Sequence, residues 1–473
     1  MTPSVKTLPL WPHQERALTF IQEHWSQRNY GVLLALVMGS GKSRVAIEAL
    51  KYHRLHPILI LCPLRVVEVW REQFEIHAPG EYDFLALDER GGTVQEKARA
   101  ARDRLAWATA RRRPLAICIN YDAARLEPFA HWALTNLWGL VIADEIHKIK
   151  EAAGLTSRFL GRLALRARYR LGLTGTPMPH SPLDVWAQFR FIDRTVYDPT
   201  FTSFRQRYAV LGGYYNRQVI QYHDLQELRA KFFSRAFQVG PEVLDLPDVQ
   251  EQTLYCALTP QGARLYTEME RDLVTWIESS PAPVVAANAL VRLLRLQQIT
   301  SGTVTDTRGE EHIVDSAKED LLADLLEDLP PEEPVVVFAR FRCDLAAVYR
   351  VAHKLGRIPG ELSGQCDDLA AFQRGRSTDP VILAVQIQAG GVGISLVRAA
   401  YGVYYSLGFN LADYLQSRAR LHRAGQQRPV RFYHLAAHHT VDEMVMRALE
   451  RRQDLVESVL QEMKCPHPLP KTA

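Results

Sequence analysis

The apolar run Val32–Val37 ends abruptly in Met38-Gly39-Ser40-Gly41-Lys42-Ser43, and a helical pattern resumes at Val45–Tyr52. A glycine-rich turn between a strand and a helix lets backbone N–H groups face inward and cradle phosphate, and the helix N-terminus adds its dipole. In this pattern Gly39, Ser40 and Gly41 line the cradle, Lys42 reaches the β- and γ-phosphates, and Ser43 binds Mg²⁺. Leu36 stands where the usual first glycine would be. The strand, loop and helix together predict an α/β fold built to hold a triphosphate.

The rest of the chain agrees with a parallel sheet. After Val32–Val37 come Ile58–Cys62, Leu115–Asn120, Leu140–Asp144 and Arg170–Thr174, nearly continuous apolar runs separated by helical patterns. Such runs suit strands covered on both faces, joined by crossover helices. A second series follows the proline-rich 329–334, with strands expected at Val335–Phe338, Val381–Val385, Gly402–Tyr405 and Val430–Leu435. Between the series the pattern turns helical, at Pro260–Glu278, Ala286–Gln298 and Ser316–Leu329. The expected organisation is an α/β lobe over 1–194, a helical insertion over 195–330, a second α/β lobe over 331–463 and a mobile tail over 464–473.

Composition narrows the class only a little. A chain of 473 residues with 47% hydrophobic residues can bury sizeable cores. No apolar run reaches the ~20 residues of a membrane span, and Met1–Pro9 lacks a signal-peptide core. A cytosolic protein is expected, without a membrane partner. The net charge of +4 is compatible with a phosphate-binding groove but does not require one. The six cysteines have neither CxxC spacing nor zinc-type spacing to histidine, and read as reduced thiols.

Two further motifs carry chemistry. Asp144-Glu145-Ile146-His147 follows the run Leu140–Ala143 directly. A carboxylate at the carboxyl end of a parallel strand faces the ligand crevice. Asp144 would hold Mg²⁺ through water, and Glu145 would orient and deprotonate the attacking water. Arg420 and Arg423, in Gln416–Gln426, are three residues apart and would share one face of a helical segment. Two guanidinium groups aimed at a γ-phosphate act as arginine fingers. These arginines lie far along the chain from the loop and the acids, so lobe closure would be needed to complete one site.

At these residues the chain resembles the Swi/Snf-like translocases of helicase superfamily two. The resemblance runs in order from about Leu8 to Glu443. Leu10-Trp11-Pro12-His13-Gln14 resembles the family's glutamine motif, in which Gln14 would contact the adenine edge. Leu61-Cys62-Pro63-Leu64 with Trp70 resembles a segment beside the nucleic-acid backbone, and Asn120-Tyr121 resembles another. Asp144–His147 resembles the DEAH box, and Leu173-Thr174-Gly175-Thr176-Pro177 the coupling motif. His147, Thr174, Gly175 and Thr176 would therefore link hydrolysis to movement. Segments around Leu258-Thr259-Pro260, Leu293–Ile299 and Ser316-Ala317-Lys318 are typical of this family. Gln388–Leu396 is close to its AGGxGxNL motif, and Arg420–Gln426 to RxHRxGQ. Gly393 and Gln416 would join the nucleotide site.

The resemblance implies two RecA-like lobes, ATP with Mg²⁺, and grip on the phosphates of double-stranded DNA without base readout. Candidate nucleic-acid contacts are Arg65, Asn120, Tyr121, Arg340 and Gln388. The basic stretch Lys97–Arg113 is read as a solvated helix face, and His434, His438 and His439 as core and surface histidines. Leu36 and Val37 replace the family's acidic pair, Ser395 its asparagine, and Phe409-Asn410-Leu411 its Trp-Asn-Pro. From these departures, and from a length near that of the minimal motor, a divergent, stand-alone member is expected. A strand-separating helicase and a nucleotide-gated scaffold that binds DNA and a partner protein stand as alternatives to a translocase.

Overall fold

In the computed structural model the apolar runs become buried strands of two separate sheets. The structure describes residues 9–28, 30–88, 91–212, 218–279, 282–305, 310–387 and 394–461. The chain divides into two compact units: among the described residues, the first takes 9–244 together with 455–461, and the second takes Asp245–Asp454.

The first unit is built on a seven-stranded sheet. Its strands are β1 (Gly31–Leu36), β2 (Ile58–Cys62), β3 (Asp83–Leu87), β4 (Leu115–Asn120), β5 (Trp138–Asp144), β6 (Ala167–Thr174) and, after a short hairpin of β7 (Ala209–Gly212) and β8 (Gln218–Tyr222), β9 (Ala236–Val239). The order is β3-β4-β2-β5-β6-β1-β9, with every pairing parallel. β1 and β2 are buried along their whole length. This explains why neither shows hydrophobic alternation. Because β6 lies between β1 and β5, the ends of these three strands bring the glycine loop, Thr174 and Asp144 to one edge. The thiols of Cys62 on β2 and Cys118 on β4 sit buried with their sulfurs 3.5 Å apart.

The second unit holds a six-stranded sheet. It consists of β10 (Val249–Cys256), β13 (Val335–Ala339), β14 (Pro359–Leu362), β15 (Ile382–Gln386), β16 (Tyr401–Tyr404) and β17 (Val430–Ala437). The order is β10-β17-β16-β13-β15-β14, again all parallel. Two short strands, β11 (Thr303–Thr305) and β12 (Glu311–Ile313), pair with each other outside it.

The stretch 195–330, expected as one helical insertion, is divided between the units. It supplies β9 to the first sheet and β10 to the second, and it carries the β7–β8 hairpin. The expected helices lie within Pro260–Ser279, Ala282–Thr300 and Ala317–Glu327. Their anchors are polar. Thr259 donates both its N–H and its hydroxyl to Asp315 Oδ2, each at 2.7 Å, and the N–H of Ala317 donates to Oδ1. Lys318, 2% exposed, pairs with Asp442 at 2.7 Å, and Asp442 also accepts from the Thr300 hydroxyl and the Ala437 N–H. The family-like Thr259 and Lys318 are thus internal fasteners of this unit. The tail 464–473 lies outside the described residues.

His434 is in the core of the second unit, stacked on Tyr404 and 3.0 Å from the Tyr414 hydroxyl. Burial, and then the nearby Arg418 guanidinium, push its pKa down to about 4. The folded state therefore binds fewer protons than the unfolded chain between about pH 6.5 and 4. The stabilising contribution is complete above that window and is lost as pH falls through it. Denaturant unfolding of wild type should lose about 3 kcal/mol more across this window than His434→Gln, at about 1.4 kcal/mol per pKa unit. Parallel stability curves for the two proteins would contradict this account.

Candidate functional site

The glycine loop adopts the geometry its composition predicts. Gly39 and Gly41 have φ of 81° and 82°, a region in which side chains are strained. Gly41 precedes the helix Lys42–Tyr52, which places Lys42 and Ser43 at its first two positions. A Cβ on Gly41 would come 2.2 Å from Gln14 Nε2, so any larger residue there would be strained by its φ and would displace the Gln14 amide.

Gln14 and His13, both buried, pin the loop from the first helix, Pro12–Ser26. Each donates to the Ser40 carbonyl at 2.9 Å. Gln14 also accepts from the Trp11 N–H at 3.0 Å, so both ends of its amide are engaged in this state. The Ser40 hydroxyl closes the turn onto the Val37 carbonyl at 2.6 Å. Lys42 lies back over the loop and donates to the Leu36 carbonyl at 3.1 Å. Leu36, the unusual residue of the motif, therefore serves through its backbone, which any side chain supplies.

At the end of β5, the buried Asp144 and Glu145 form the acidic half of the site. Asp144 Oδ1 accepts from the Glu145 N–H at 2.9 Å, and Oδ2 accepts from the Trp70 indole at 3.0 Å. Burial, and then the Glu145 charge, raise the Asp144 pKa to about 7, while Lys42 and Trp70 oppose the shift. Glu145 has φ 51° and ψ 51°, a strained conformation for a residue with a side chain. Nδ1 of His147 lies 3.3 Å from Glu145 Oε2 and 3.1 Å from Thr174 Oγ1, so one ring nitrogen faces both. Thr174 Oγ1 also accepts from the Thr176 N–H at 3.0 Å. A Cβ on Gly175 would meet Met38 at 3.2 Å, which places the Thr174–Thr176 turn against the glycine loop. The acids, the loop and this turn are thus brought into one cluster.

The cluster fits a triphosphate with a hard divalent cation. The Ser43 hydroxyl and the Asp144 carboxylate are oxygen donors of the kind Mg²⁺ takes. Two crowded, buried carboxylates gain from a cation that offsets their repulsion. The loop is a cradle that a Cβ would fill.

The candidate nucleic-acid residues divide. Arg65 is exposed just before the helix Val66–His77, and half-buried Asn120 ends β4. Tyr121 differs from expectation. It is 6% exposed, and its hydroxyl donates to the Asp144 carbonyl at 2.7 Å. Its ring is apolar enough to be taken inside, and its hydroxyl finds an internal partner. In the basic helix Val94–Ala110, Arg104 pairs with Asp83, and the Arg104 and Arg111 guanidinium groups flank the Trp107 ring.

In the second unit Arg420 and Arg423 both donate to the Ile394 carbonyl, at 3.4 and 3.0 Å. They do not share a helix face as the spacing suggested. The helix Leu411–Leu421 ends before Arg423, and the chain turns at His422. Gln426 stabilises that turn. Its amide donates to the Val397, Ala399 and Leu421 carbonyls and accepts the Gln427 and Arg428 N–H groups. Gln416 is buried on the same helix. Arg340, at the end of β13, donates to Gln297, and its N–H donates to Ser406. Gln297 in turn donates to the Leu407 carbonyl at 2.9 Å. Gln388 and Gly393 lie outside the described residues.

A family model for the SNF2-related domain matches residues 13–303, and one for the helicase conserved C-terminal domain matches 317–425. The mouse chromodomain-helicase-DNA-binding protein 1-like is 27% identical over 91% of this chain and 48% of its own length. The putative ATP-dependent helicase/translocase YwqA of Bacillus subtilis is 25% identical over 98% of this chain and 50% of its own. The chain thus spans about half the length of these curated relatives. The Sulfolobus solfataricus SWI2/SNF2 ATPase core, solved in complex with dsDNA, is 22% identical, with a TM-score of 0.43 over 98% of this chain and 95% of that one. No helix among the described residues is long and apolar enough to cross a membrane.

Proposed function

The chain belongs to the SNF2-related family of helicase-like ATPases, and from that premise we propose that it is an ATP-driven motor that moves along double-stranded DNA. One observation carries the reading. The phosphate loop, the paired acids and the Thr174–Thr176 turn form one connected cluster in the first unit, while the paired arginines belong to the second.

The division of labour follows from the side chains. Lys42 leaves the Leu36 carbonyl to meet the β- and γ-phosphates as loop N–H groups take the remaining oxygens. Ser43 and Asp144 would hold Mg²⁺, whose charge offsets that of the phosphates when bound. Glu145 accepts a proton from the attacking water, and His147 keeps its carboxylate oriented. Arg420 and Arg423 supply positive charge to the transition state only when the second unit closes on the first. Release of phosphate relaxes the Glu145–His147–Thr174 contact and reopens the pair. Alternating closure and opening moves DNA if Arg65 and Asn120 on one unit and Arg340 on the other grip phosphates in turn. Phosphate grip without base contacts gives sequence-independent tracking.

The test is ATPase rate titrated with duplex DNA, single-stranded DNA, forked DNA and RNA at fixed salt. Duplex DNA is expected to raise kcat most, without displacement of a forked strand. Equal turnover with and without nucleic acid, or activation by single strands or RNA alone, would replace this reading with one of the alternatives.

A further inference from the structure

Asp144 is held from two directions by side chains that the proposed mechanism does not use. Trp70 is fully buried on the helix Val66–His77, five residues beyond the exposed Arg65. Its indole N–H donates to Asp144 Oδ2 at 3.0 Å. Tyr121 follows Asn120 directly at the end of β4, and its hydroxyl donates to the Asp144 backbone carbonyl at 2.7 Å. One donor orients the carboxylate. The other orients the peptide plane that joins Asp144 to Glu145.

That peptide plane matters because of the residue after it. Glu145 sits at φ 51° and ψ 51°, and a non-glycine residue stays there only when its surroundings over-determine it. The Tyr121 hydrogen bond on one side of the plane and the His147 contact beyond it supply that constraint. Both aromatic residues emerge from sheet-end segments that also carry a candidate phosphate contact, Arg65 in one and Asn120 in the other. Each segment is therefore tied to the acidic pair through one aromatic side chain.

We propose that Trp70 and Tyr121 are positioning residues that transmit duplex binding at the β2 and β4 ends to the Asp144–Glu145 pair. This inference rests on the duplex-motor reading above. When DNA seats Arg65 and Asn120, the two segments move together, and Glu145 aligns with the water it must activate. Without DNA the pair is held but is not aligned, and hydrolysis idles.

Trp70→Phe keeps an aromatic ring and removes the N–H, and Tyr121→Phe removes a single oxygen. The decisive readout is the ratio of kcat at saturating duplex to kcat without DNA. Duplex affinity without nucleotide, affinity for a fluorescent ATP analogue, and thermal midpoint are measured alongside. Each variant is expected to lower the ratio about tenfold, in the range seen when a group that orients a metal-binding side chain is removed. Duplex affinity should stay within about twofold of wild type. If both rates fall by the same factor and the ratio is unchanged, the two residues only support the site, and the proposal fails. If the ratio falls solely because duplex binding is lost, it fails as well. A wild-type protein that shows no stimulation by duplex would instead remove the motor reading itself. Should Trp70→Phe not fold, Tyr121→Phe decides alone, since its lost group makes one hydrogen bond to a backbone carbonyl.

Discussion

Glu145→Gln is expected to lower ATP turnover by about 10²–10⁴-fold while leaving nucleotide affinity nearly unchanged, the signature of a lost general base. Glutamine keeps the length and shape of the side chain and retains an oxygen for the His147 contact 3.3 Å away. It loses the ability to accept a proton from water. The neighbouring Asp144 is assigned to Mg²⁺ in the proposed mechanism, and its carboxylate is fixed by the Glu145 N–H and the Trp70 indole, so it is not placed to take over that role. Single-turnover hydrolysis measured beside binding of a fluorescent ATP analogue separates the two effects. Lys42→Ala serves as the contrast and should weaken binding, since the proposed mechanism has Lys42 meet the phosphates before chemistry begins. Turnover in Glu145→Gln close to wild type would remove Glu145 from its assigned role.

Loss of either Arg420 or Arg423 should lower kcat on the order of 10³-fold, or roughly 4 kcal/mol of barrier. Both guanidinium groups converge on the Ile394 carbonyl, so they are held together before any nucleotide arrives. Burial depresses the Arg423 pKa from its usual value. That desolvation strengthens its pull on a developing negative charge. ATP affinity should change little, because the phosphate loop belongs to the other unit. Lysine at either position should restore little activity, since a compact ammonium cannot reproduce the planar fork of arginine. Wild-type turnover in Arg420→Ala and Arg423→Ala would mean that hydrolysis does not need the second unit. The proposed link between chemistry and movement would then have no physical basis.

Much of this architecture is legible in the chain because buried strands and phosphate loops are locally encoded. β1, β2, β4 and β13 show as unbroken apolar runs, since strands covered on both faces need no polar alternation. Gly39 and Gly41 identify a turn whose positive φ favours glycine. Asp144 and Glu145 are visible as a pair of acids directly after an apolar run. Strands at and near the sheet edges are harder to see. β3 and β10 are only partly buried, so their composition carries no clear period, and β9 is four residues long.

The sequence by itself determined the fold class and located the glycine-rich loop after β1 and the two acids at the end of β5, because each depends on residues adjacent in the chain. Only the tertiary structure decided which distant groups hold them. Trp70 and Asp144 are 74 residues apart, Tyr121 and Asp144 are 23 apart, and Gln14 meets Ser40 across 26. It also buried Tyr121 with its hydroxyl on the Asp144 carbonyl, and showed that Arg420 and Arg423 meet at a carbonyl rather than along a helix face. The physical reason is that local patterning specifies whether a segment is buried and how it is shaped. The choice of hydrogen-bond partner is made only when the sheet brings strand ends together.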